Sequence, residues 1–213
     1  MTWSSAGRMP DLAITGRRVL LRPLVVGDFD AWKEVRVRAR DWLVKWEPSL
    51  LPGQPDATED RRVFAARCGA RERERQMGSG YGFGIFIGPR QDRFAGEINL
   101  SSVQRGPYQN AYVGYWIDEA AAGQSYVPEA FVVLARFAFE DLGLHRLQAS
   151  IIPRNGPSRR VAAKVGLRDE GTAVRYLEIN GVWEDHVRYA ITAEEWVARR
   201  DAYLRDWILP SAD

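Results

Sequence analysis

The sequence predicts an α+β domain built on a mixed, mostly antiparallel β-sheet that is flanked by helices. Three observations predict it: apolar runs with strand character between residues 81 and 117, a strand that enters a helix through a turn of small residues, and an Asn-Gly turn between two late strands. Consecutive strands with short turns form an antiparallel meander, whereas a strand that returns through a helix pairs in parallel. The sheet is therefore expected to contain both kinds of pairing.

Length and composition indicate one domain. A chain of 213 residues can bury a single core, so we expect one domain over residues 1–213, with a loose leader at 1–16 and a C-terminal helix and tail at 193–213. The net charge of +2 argues against a dedicated nucleic-acid binder. No apolar run reaches the roughly 18 residues of a membrane span, and the N-terminus lacks a signal-peptide core. We therefore expect a cytoplasmic protein without membrane contact.

The N-terminal third reads as one strand and two helices. Residues 17–22 form the predicted strand, and Asp28 is the expected N-cap of a helix with apolar positions spaced by three and four as far as Trp46. Thr58 is expected to start a second helix, which carries the lone Cys68 on its apolar side. No strand is predicted between residues 53 and 80. This segment is therefore expected to lie beside the sheet as one wall of a cleft.

The strand at 111–117 is expected to be central, because both of its faces are apolar. A turn of small residues, Ala120 to Ser125, follows, and Ser125 is the expected N-cap of the next helix. That helix is predicted to bury one stripe, made of Val127, Phe131, Leu134, Ala138 and Leu142. Free N–H groups and the helix dipole make such a turn suitable for phosphate, although the chain lacks both the P-loop and the dinucleotide motif.

The C-terminal part is predicted from local signals. A strand at 145–152 should pair in parallel near the central strand, and a short helix should run from Asn155 to Val165. The last two strands, at 176–179 and 183–191, are expected to form a hairpin around Asn180-Gly181. Thr192 and Glu195 form a capping box that opens a final helix.

Several of these segments together resemble the Gcn5-related N-acetyltransferase (GNAT) superfamily from about Arg17 to about Glu195. The resemblance rests on the order of elements, the turn Ala120-Ala-Ala-Gly123-Gln-Ser125, the helix start Asn155-Gly-Pro-Ser158 and the ending Lys164-Val-Gly166-Leu167. The nearest branch is that of RimJ and RimL, the protein N-terminal acetyltransferases that act on ribosomal proteins. The family's loop pattern, Gln/Arg-x-x-Gly-x-Gly/Ala, is altered at its first and last positions, but the Asn-x-x-Ser signature of the branch is present.

The resemblance implies acetyl-CoA as cosubstrate and no metal. It implies that the cofactor is bound by Trp116, Ile117, Gly123, Gln124, Ser125, Tyr126, Val127, Asn155 and Ser158. Many relatives place a tyrosine acid four residues after the serine, where this chain has Ala162, so Ser158 is the candidate catalytic acid. Glu97 is the leading candidate base, followed by Asp118 and Glu119. Two structural alternatives stay open: Ser158 as the partner of an Asn155 helix cap, and Glu97 as a solvent-facing strand residue or substrate binder.

The implied activity is transfer of the acetyl group to the α-amine of a protein N-terminus beginning with Ala or Ser, such as that of a ribosomal protein, by direct attack in a ternary complex. The alternatives are a small-amine acetyltransferase, acting on an aminoglycoside or polyamine, and a CoA-binding module without turnover. An acidic groove of Glu47, Asp56, Asp118 and Glu119 would favour the polyamine. No direct contact with nucleic acid is expected, and the protein is expected to be a monomer or a homodimer.

Two groups of aromatic residues predict a slot for the acceptor. One group, Trp42, Trp46 and Pro48, lies at the end of the first helix, and the other, Tyr176, Trp183 and Tyr189, lies on the last hairpin. If both face the end of the central strand, they admit an extended chain end. His145 and His186 lie in separate strands without suitable partners, so hydrogen-bonded structural roles are expected for both.

Overall fold

A computed structural model describes residues 12–50 and 53–210. Eight strands form one sheet in the described part of the chain, in the order β1-β2-β3-β4-β5-β6-β8-β7. The strands are β1 (Ile14–Thr15), β2 (Leu20–Arg22), β3 (Tyr81–Ile87), β4 (Arg93–Gln104), β5 (Asn110–Ile117), β6 (Arg146–Ile151), β7 (Arg168–Ile179) and β8 (Val182–Thr192). The α-helices are α1 (Phe29–Arg38), α2 (Arg40–Leu43), α3 (Arg61–Gln76), α4 (Tyr126–Arg136), α5 (Gly156–Val165) and α6 (Ala193–Tyr203). Within the described ranges, no helix is long and apolar enough to cross a membrane.

The predicted mixture of strand pairings is confirmed. The meander β3-β4-β5 is antiparallel, and β6 returns through α4 to pair with β5 in parallel. That parallel pairing covers only three positions, Asn110–Tyr112 against Arg146–Gln148, after which β6 pairs only with β8. The remainder of β5, as far as Ile117, therefore has a hydrogen-bonded neighbour on one side only.

Each face of the sheet is covered by its own helices. Alternation along β3 and β5 sends Phe83, Ile85 and Val113 into the larger core, where α4 and α5 pack. The opposite face carries a smaller aromatic core under α1 and α3, built on Phe29, Trp32, Val35, Phe64, Phe86 and Phe94. The two faces of β5 therefore look into two different layers of the domain.

Helix α4 differs from its predicted single buried stripe. All nine residues from Val127 to Ala135 are buried. The helix packs on the sheet, on α5 and on the C-terminal segment, whose Trp207 and Ile208 also contact the larger core. A helix covered on several sides is apolar around its circumference, which explains why the predicted stripe was too narrow.

The N-terminal predictions need four corrections. Strand β1 pairs with β2 and lies inside the predicted loose leader, of which residues 1–11 are outside the described ranges. The side chain of Asp28 does not cap α1, because it accepts the N–H of Val25 and pairs with Arg22. The first helix ends at Arg38 and is followed by α2 and a 3-10 turn at Val44–Trp46.

The second helix also starts later than predicted. Helix α3 begins at Arg61, and the carboxylate of Asp60 caps it by accepting the N–H of Arg62 at 2.7 Å. Thr58 lies before this helix, where its N–H and hydroxyl both donate to Asp56. Thr58 therefore belongs to the turn before α3, and Asp60, two residues later, is the residue that caps the helix.

The C-terminal signals are largely confirmed. The side chain of Asn155 caps α5, Thr192 and Glu195 form the predicted capping box of α6, and both turn residues of the β7-β8 hairpin have positive φ, +51° at Asn180 and +76° at Gly181. Strand β7 starts at Arg168, eight residues before its predicted start, and two irregularities in its register with β8 explain the weak strand signal of that stretch.

Candidate active site

A cleft of about 750 Å³ opens at the carboxyl-terminal end of β5. One side is lined by the turn before α4 and by α5, and the other by the α1–α2 segment, α3 and β4. Of the nine residues predicted to bind the cofactor, all line this cleft except Gln124, whose amide instead donates to the carbonyl of Ala120 at 3.2 Å. Eight of the nine predicted residues therefore lie around one cleft.

The turn before α4 is shaped to accept an anion. Gly123 has φ +77°, a conformation that favours glycine, and a Cβ placed there would have no neighbour within 4 Å. The backbone N–H groups from residue 123 to residue 127 have no acceptor among the described residues. Because they lie at a helix start, they also carry the positive end of the helix dipole. The turn therefore offers donors and free space at the same place.

Ser125 does not act as the predicted side-chain cap. It occupies the N-cap position of α4 with φ +66°, but its hydroxyl makes no capping hydrogen bond. The Nζ of Lys164, on α5, instead donates to Ser125 Oγ at 2.6 Å. This left-handed conformation turns the hydroxyl towards α5 and leaves the first N–H groups of α4 uncapped.

An ion pair between the exposed Arg18 and the buried Glu129 holds the back of this turn. Glu129, 1% exposed, accepts the backbone N–H groups of Arg18 and Val19 and pairs with the guanidinium of Arg18 at 2.8 Å. The same guanidinium donates to the carbonyl oxygens of Gln124 at 3.1 Å and Ser125 at 3.5 Å. The turn is thereby tied to the start of β2. Sequence reasoning missed both residues of the ion pair, although a carboxylate inside an otherwise apolar helix was an available signal.

Asn155 and Ser158 are joined at the start of α5. The side-chain oxygen of Asn155 accepts the N–H of Ser158 at 3.2 Å, so Asn155 is the helix cap, and the hydroxyl of Ser158 takes no part in the capping. In the expected cap, the backbone N–H of Ser158 is therefore the partner of Asn155, and the Ser158 side chain is not used. Its Oγ lies 2.7 Å from the hydroxyl oxygen of Tyr115.

Tyr115 is a site residue that the sequence analysis missed. Burial raises the pKa of its hydroxyl to about 12, although the hydrogen bond with Ser158 acts in the opposite direction. The hydroxyl therefore stays protonated at neutral pH and can hold the Ser158 side chain in one orientation. Strand alternation puts Tyr115 and Trp116 on opposite faces of β5, but the sequence did not show that α5 would pack against the face that carries Tyr115.

The other side of the cleft carries Glu97 on β4. Its Oε1 accepts the indole N–H of Trp32 at 2.7 Å, and its Oε2 pairs with Arg67 at 2.5 Å. An ionised carboxylate can accept more than one hydrogen bond at each oxygen, so Glu97 retains capacity for a further donor. Two other arginines that line the cleft are paired in the same way, Arg36 with Glu47 and Arg71 with Glu74.

The predicted second-rank bases lie outside the cleft. Asp118, 1% exposed, pairs with Arg38 at 2.6 Å and accepts the N–H of Ala120, so it stabilises the turn after β5. Glu119 is exposed on that turn. Neither residue lines the cleft, and the predicted acidic groove does not form, because Glu47 pairs with Arg36 and Asp56 is engaged by Thr58.

The predicted aromatic slot is half correct. Trp42, Trp46 and Pro48 line the cleft, whereas Tyr176, Trp183 and Tyr189 do not. Tyr189 is buried in the larger core and accepts a hydrogen bond from Arg159, Trp183 is exposed, and Tyr176 packs against His186.

The hairpin acts on the cleft indirectly, through its turn. Asn180 donates to the carbonyl of Val44 at 2.5 Å and accepts the hydroxyl of Ser49 at 2.7 Å. These contacts hold the segment that carries Trp42 and Trp46 in place from outside the cleft.

The remaining polar candidates have structural partners. His145 lies 3.0 Å from Glu194 and His186 lies 3.0 Å from the carbonyl of Glu184, so both histidines are hydrogen-bonded as predicted. Cys68 is half-buried against the smaller core, and burial raises the pKa of its thiol. In the part of the chain that the structure describes, no three His, Cys, Asp or Glu side chains are grouped as a metal site.

Comparison with known proteins identifies the family of this chain. The profile of the acetyltransferase (GNAT) domain matches residues 18–168. The chain is 33% identical to the probable N-acetyltransferase YjcK of Bacillus subtilis, over 84% of this chain and 96% of YjcK. It is 31% identical to the [ribosomal protein uS5]-alanine N-acetyltransferase of Escherichia coli, over 90% of this chain and 96% of that protein.

A solved structure gives the same result at the level of the fold. RimJ of Mycobacterium smegmatis, in complex with CoA-disulfide, superposes with a TM-score of 0.75 at 30% identity, over 89% of this chain and 94% of RimJ. The profile match spans most of the chain, and the similarity to the curated relatives extends over nearly their whole length. The chain belongs to the GNAT family and is an acetyl-CoA-dependent N-acetyltransferase of the RimJ/RimL type.

Proposed function

We propose that this enzyme transfers the acetyl group to the α-amine of a protein N-terminus, by direct attack while both substrates are bound. The observation that carries this proposal is one cleft of about 750 Å³ that is lined by the turn before α4, by Ser158 and by Glu97. Both substrates can therefore be present at once, and no covalent carrier on the enzyme is needed.

The cofactor side of the cleft fits acetyl-CoA. The free N–H groups of residues 123–127 would hold the diphosphate, and the amide nitrogen of Asn155, whose oxygen is used in capping, would bind the pantetheine arm. When bound, acetyl-CoA supplies a thioester whose carbonyl carbon accepts the attacking amine. Ser158 would donate a hydrogen bond to the departing sulfur, and Tyr115 would keep the serine in position.

The proton of the acceptor must leave the nitrogen before or during the attack, because a protonated amine is not a nucleophile. One proton passes from the ammonium group to a base before the attack. The new C–N bond then replaces the C–S bond, the sulfur leaves as a thiolate, and the second proton of the nitrogen passes to that thiolate, whose thiol has a pKa of about 8.5. We assign the base to Glu97, directly or through water. Its contacts with Trp32 and Arg67 would hold the carboxylate in one orientation towards the acceptor.

The acceptor side of the cleft fits a peptide better than a polycation. The carboxylates of Glu47 and Glu97 both point into it, but each is paired with an arginine. Because each of these carboxylates is balanced by its arginine, this side of the cleft has no excess negative charge that would favour a polyamine. Trp42, Trp46 and Pro48 offer an apolar wall for a short chain end. The E. coli relative is named for acetylation of a ribosomal-protein alanine, which agrees with this choice.

A first prediction tests the cofactor side. The variant Gly123→Val should abolish the rise in melting temperature that acetyl-CoA causes, because a branched side chain would stand where the diphosphate approaches. Gly106→Val is a matched control, since Gly106 also has positive φ and open space, but lies in the β4-β5 turn. The control should keep the shift. If Gly123→Val kept the full rise in melting temperature, the diphosphate would not bind at this turn.

A second prediction tests the acid. Ser158→Ala should lower kcat by about 10- to 100-fold while the KM for acetyl-CoA changes by less than about threefold, because the lost donor acts on the leaving sulfur. Tyr115→Phe should give a smaller loss of kcat in the same steady-state assay. Ser79→Ala, on the exposed turn after α3, serves as control. Unchanged turnover of Ser158→Ala would reduce Ser158 to a structural residue of α5.

A third prediction tests the acceptor class in a competition assay. Peptides beginning with Ala or Ser should be acetylated in preference to N-blocked peptides that carry a lysine, to spermidine and to an aminoglycoside. Mass spectrometry of the products locates the acetyl group. Preference for any of the last three would defeat the N-terminal proposal, and cofactor binding without transfer to any acceptor would favour the non-catalytic alternative.

A further inference from the structure

The floor of the acceptor side carries an amide that has no partner. Asn99 lies on β4, half-buried, and lines the cleft two residues after Glu97. Its side chain makes no hydrogen bond within the described residues. By contrast, the neighbouring polar groups on this side are engaged: Glu97 by Trp32 and Arg67, and Arg36 by Glu47. A carboxamide has two donors and one acceptor oxygen, so an unpartnered one is suited to a ligand.

A glycine on the neighbouring strand β5 leaves room beside this amide. In the sheet register, Asn99 lies opposite Gly82 of β3 and Gly114 of β5. A Cβ on Gly114 would come within 3.2 Å of the Asn99 oxygen, so a side chain at this position would crowd the amide. Directly beside this row, Glu97 pairs with Gly84 and Trp116. The side chain of Arg71 covers Gly82, and Leu24 and Phe86 cover Gly84, so the open position beside Asn99 is that of Gly114, which lines the cleft.

We infer that Asn99 is a specificity-determining residue, which binds the peptide group that follows the acceptor amine. This inference rests on the proposed N-terminal acceptor. A peptide group has one N–H donor and one C=O acceptor, which are the two functions that a carboxamide complements. The Cα atoms of Glu97 and Asn99 are roughly 6.6 Å apart along the strand, and an extended chain advances roughly 3.3 Å per residue. An amine held near Glu97 therefore brings one of its first two peptide groups within reach of Asn99.

The chemistry of this pair separates a chain end from a simple amine. Glu97 can bind any ammonium group, whereas Asn99 adds affinity only when hydrogen-bonding groups follow the amine at peptide spacing. Loss of a buried hydrogen-bond partner leaves the remaining group unsatisfied, which disfavours the incorrect acceptor. The strand thus distinguishes an N-terminus from an alkylamine through two adjacent side chains on one face.

The test compares two acceptors that differ by one atom. One is an Ala-starting peptide, and the other replaces its first peptide N–H with an ester oxygen; a second pair carries the same change at the second peptide bond. For at least one pair, the wild-type enzyme should favour the amide in kcat/KM by about tenfold. Asn99→Ala should lose this preference by slowing the amide, with little effect on the ester. Asn99→Ser, which keeps one donor and acceptor, should restore part of it.

Controls make the outcome unambiguous. Ser101→Ala lies on the same strand outside the cleft, and should leave the amide preference unchanged. The acetyl-CoA melting shift of each variant shows whether the protein is folded and binds its cofactor. Equal loss of kcat/KM for amide and ester in Asn99→Ala, or retention of the full preference, would overturn the inference. Failure of the wild-type enzyme to acetylate any N-terminal peptide would instead overturn the proposed function.

Discussion

The short parallel pairing between β5 and β6 is the constraint on which the site depends. Three positions of backbone pairing hold the two strands together, and the end of β5 is then free on the side of β6. Unpaired backbone groups inside a domain must find other partners. Here the free end of β5 lines the cleft, and its side chains alternate between the two sides: Tyr115 faces Ser158, while Gly114 and Trp116 face the acceptor side. One strand therefore contributes residues to both sides of the cleft.

The two ends of the cleft differ in their charges and in their free hydrogen-bonding groups. At the turn before α4, the guanidinium of Arg18 donates hydrogen bonds to the carbonyl oxygens of Gln124 and Ser125. The N–H groups of residues 123–127 have no acceptor among the described residues. On the acceptor side, each carboxylate that lines the cleft is paired with an arginine, so the local charge is balanced. An anion is favoured at the first end, and a neutral or singly charged chain end at the second. This division agrees with the family assignment without depending on it.

Much of the fold could be predicted because its signals are local. The capping residues Asn155 and Thr192, the Asn180-Gly181 turn and the apolar strand before α4 each specify their own conformation, and the order of elements gave the topology. The corrections concern residues whose roles depend on partners that periodicity and capping patterns do not indicate. Asp28 pairs with Arg22 and does not cap α1. Asp118 pairs with Arg38 outside the cleft, and Tyr189 is buried in the core. Tyr115 and Arg18 were missed for the same reason, because no pattern along the chain shows which helix will cover a given face.

The central claim is that one cleft, lined by the turn before α4, Ser158 and Glu97, holds both substrates at once, and a bisubstrate ligand tests it most directly. An Ala-starting peptide joined through its α-amine and an acetyl bridge to the sulfur of CoA can be titrated by calorimetry, beside CoA and the peptide alone. The account predicts a Kd at least about 100-fold below that of CoA, because the cost of association is paid once for two sets of contacts. A conjugate that binds no more tightly than CoA would contradict it.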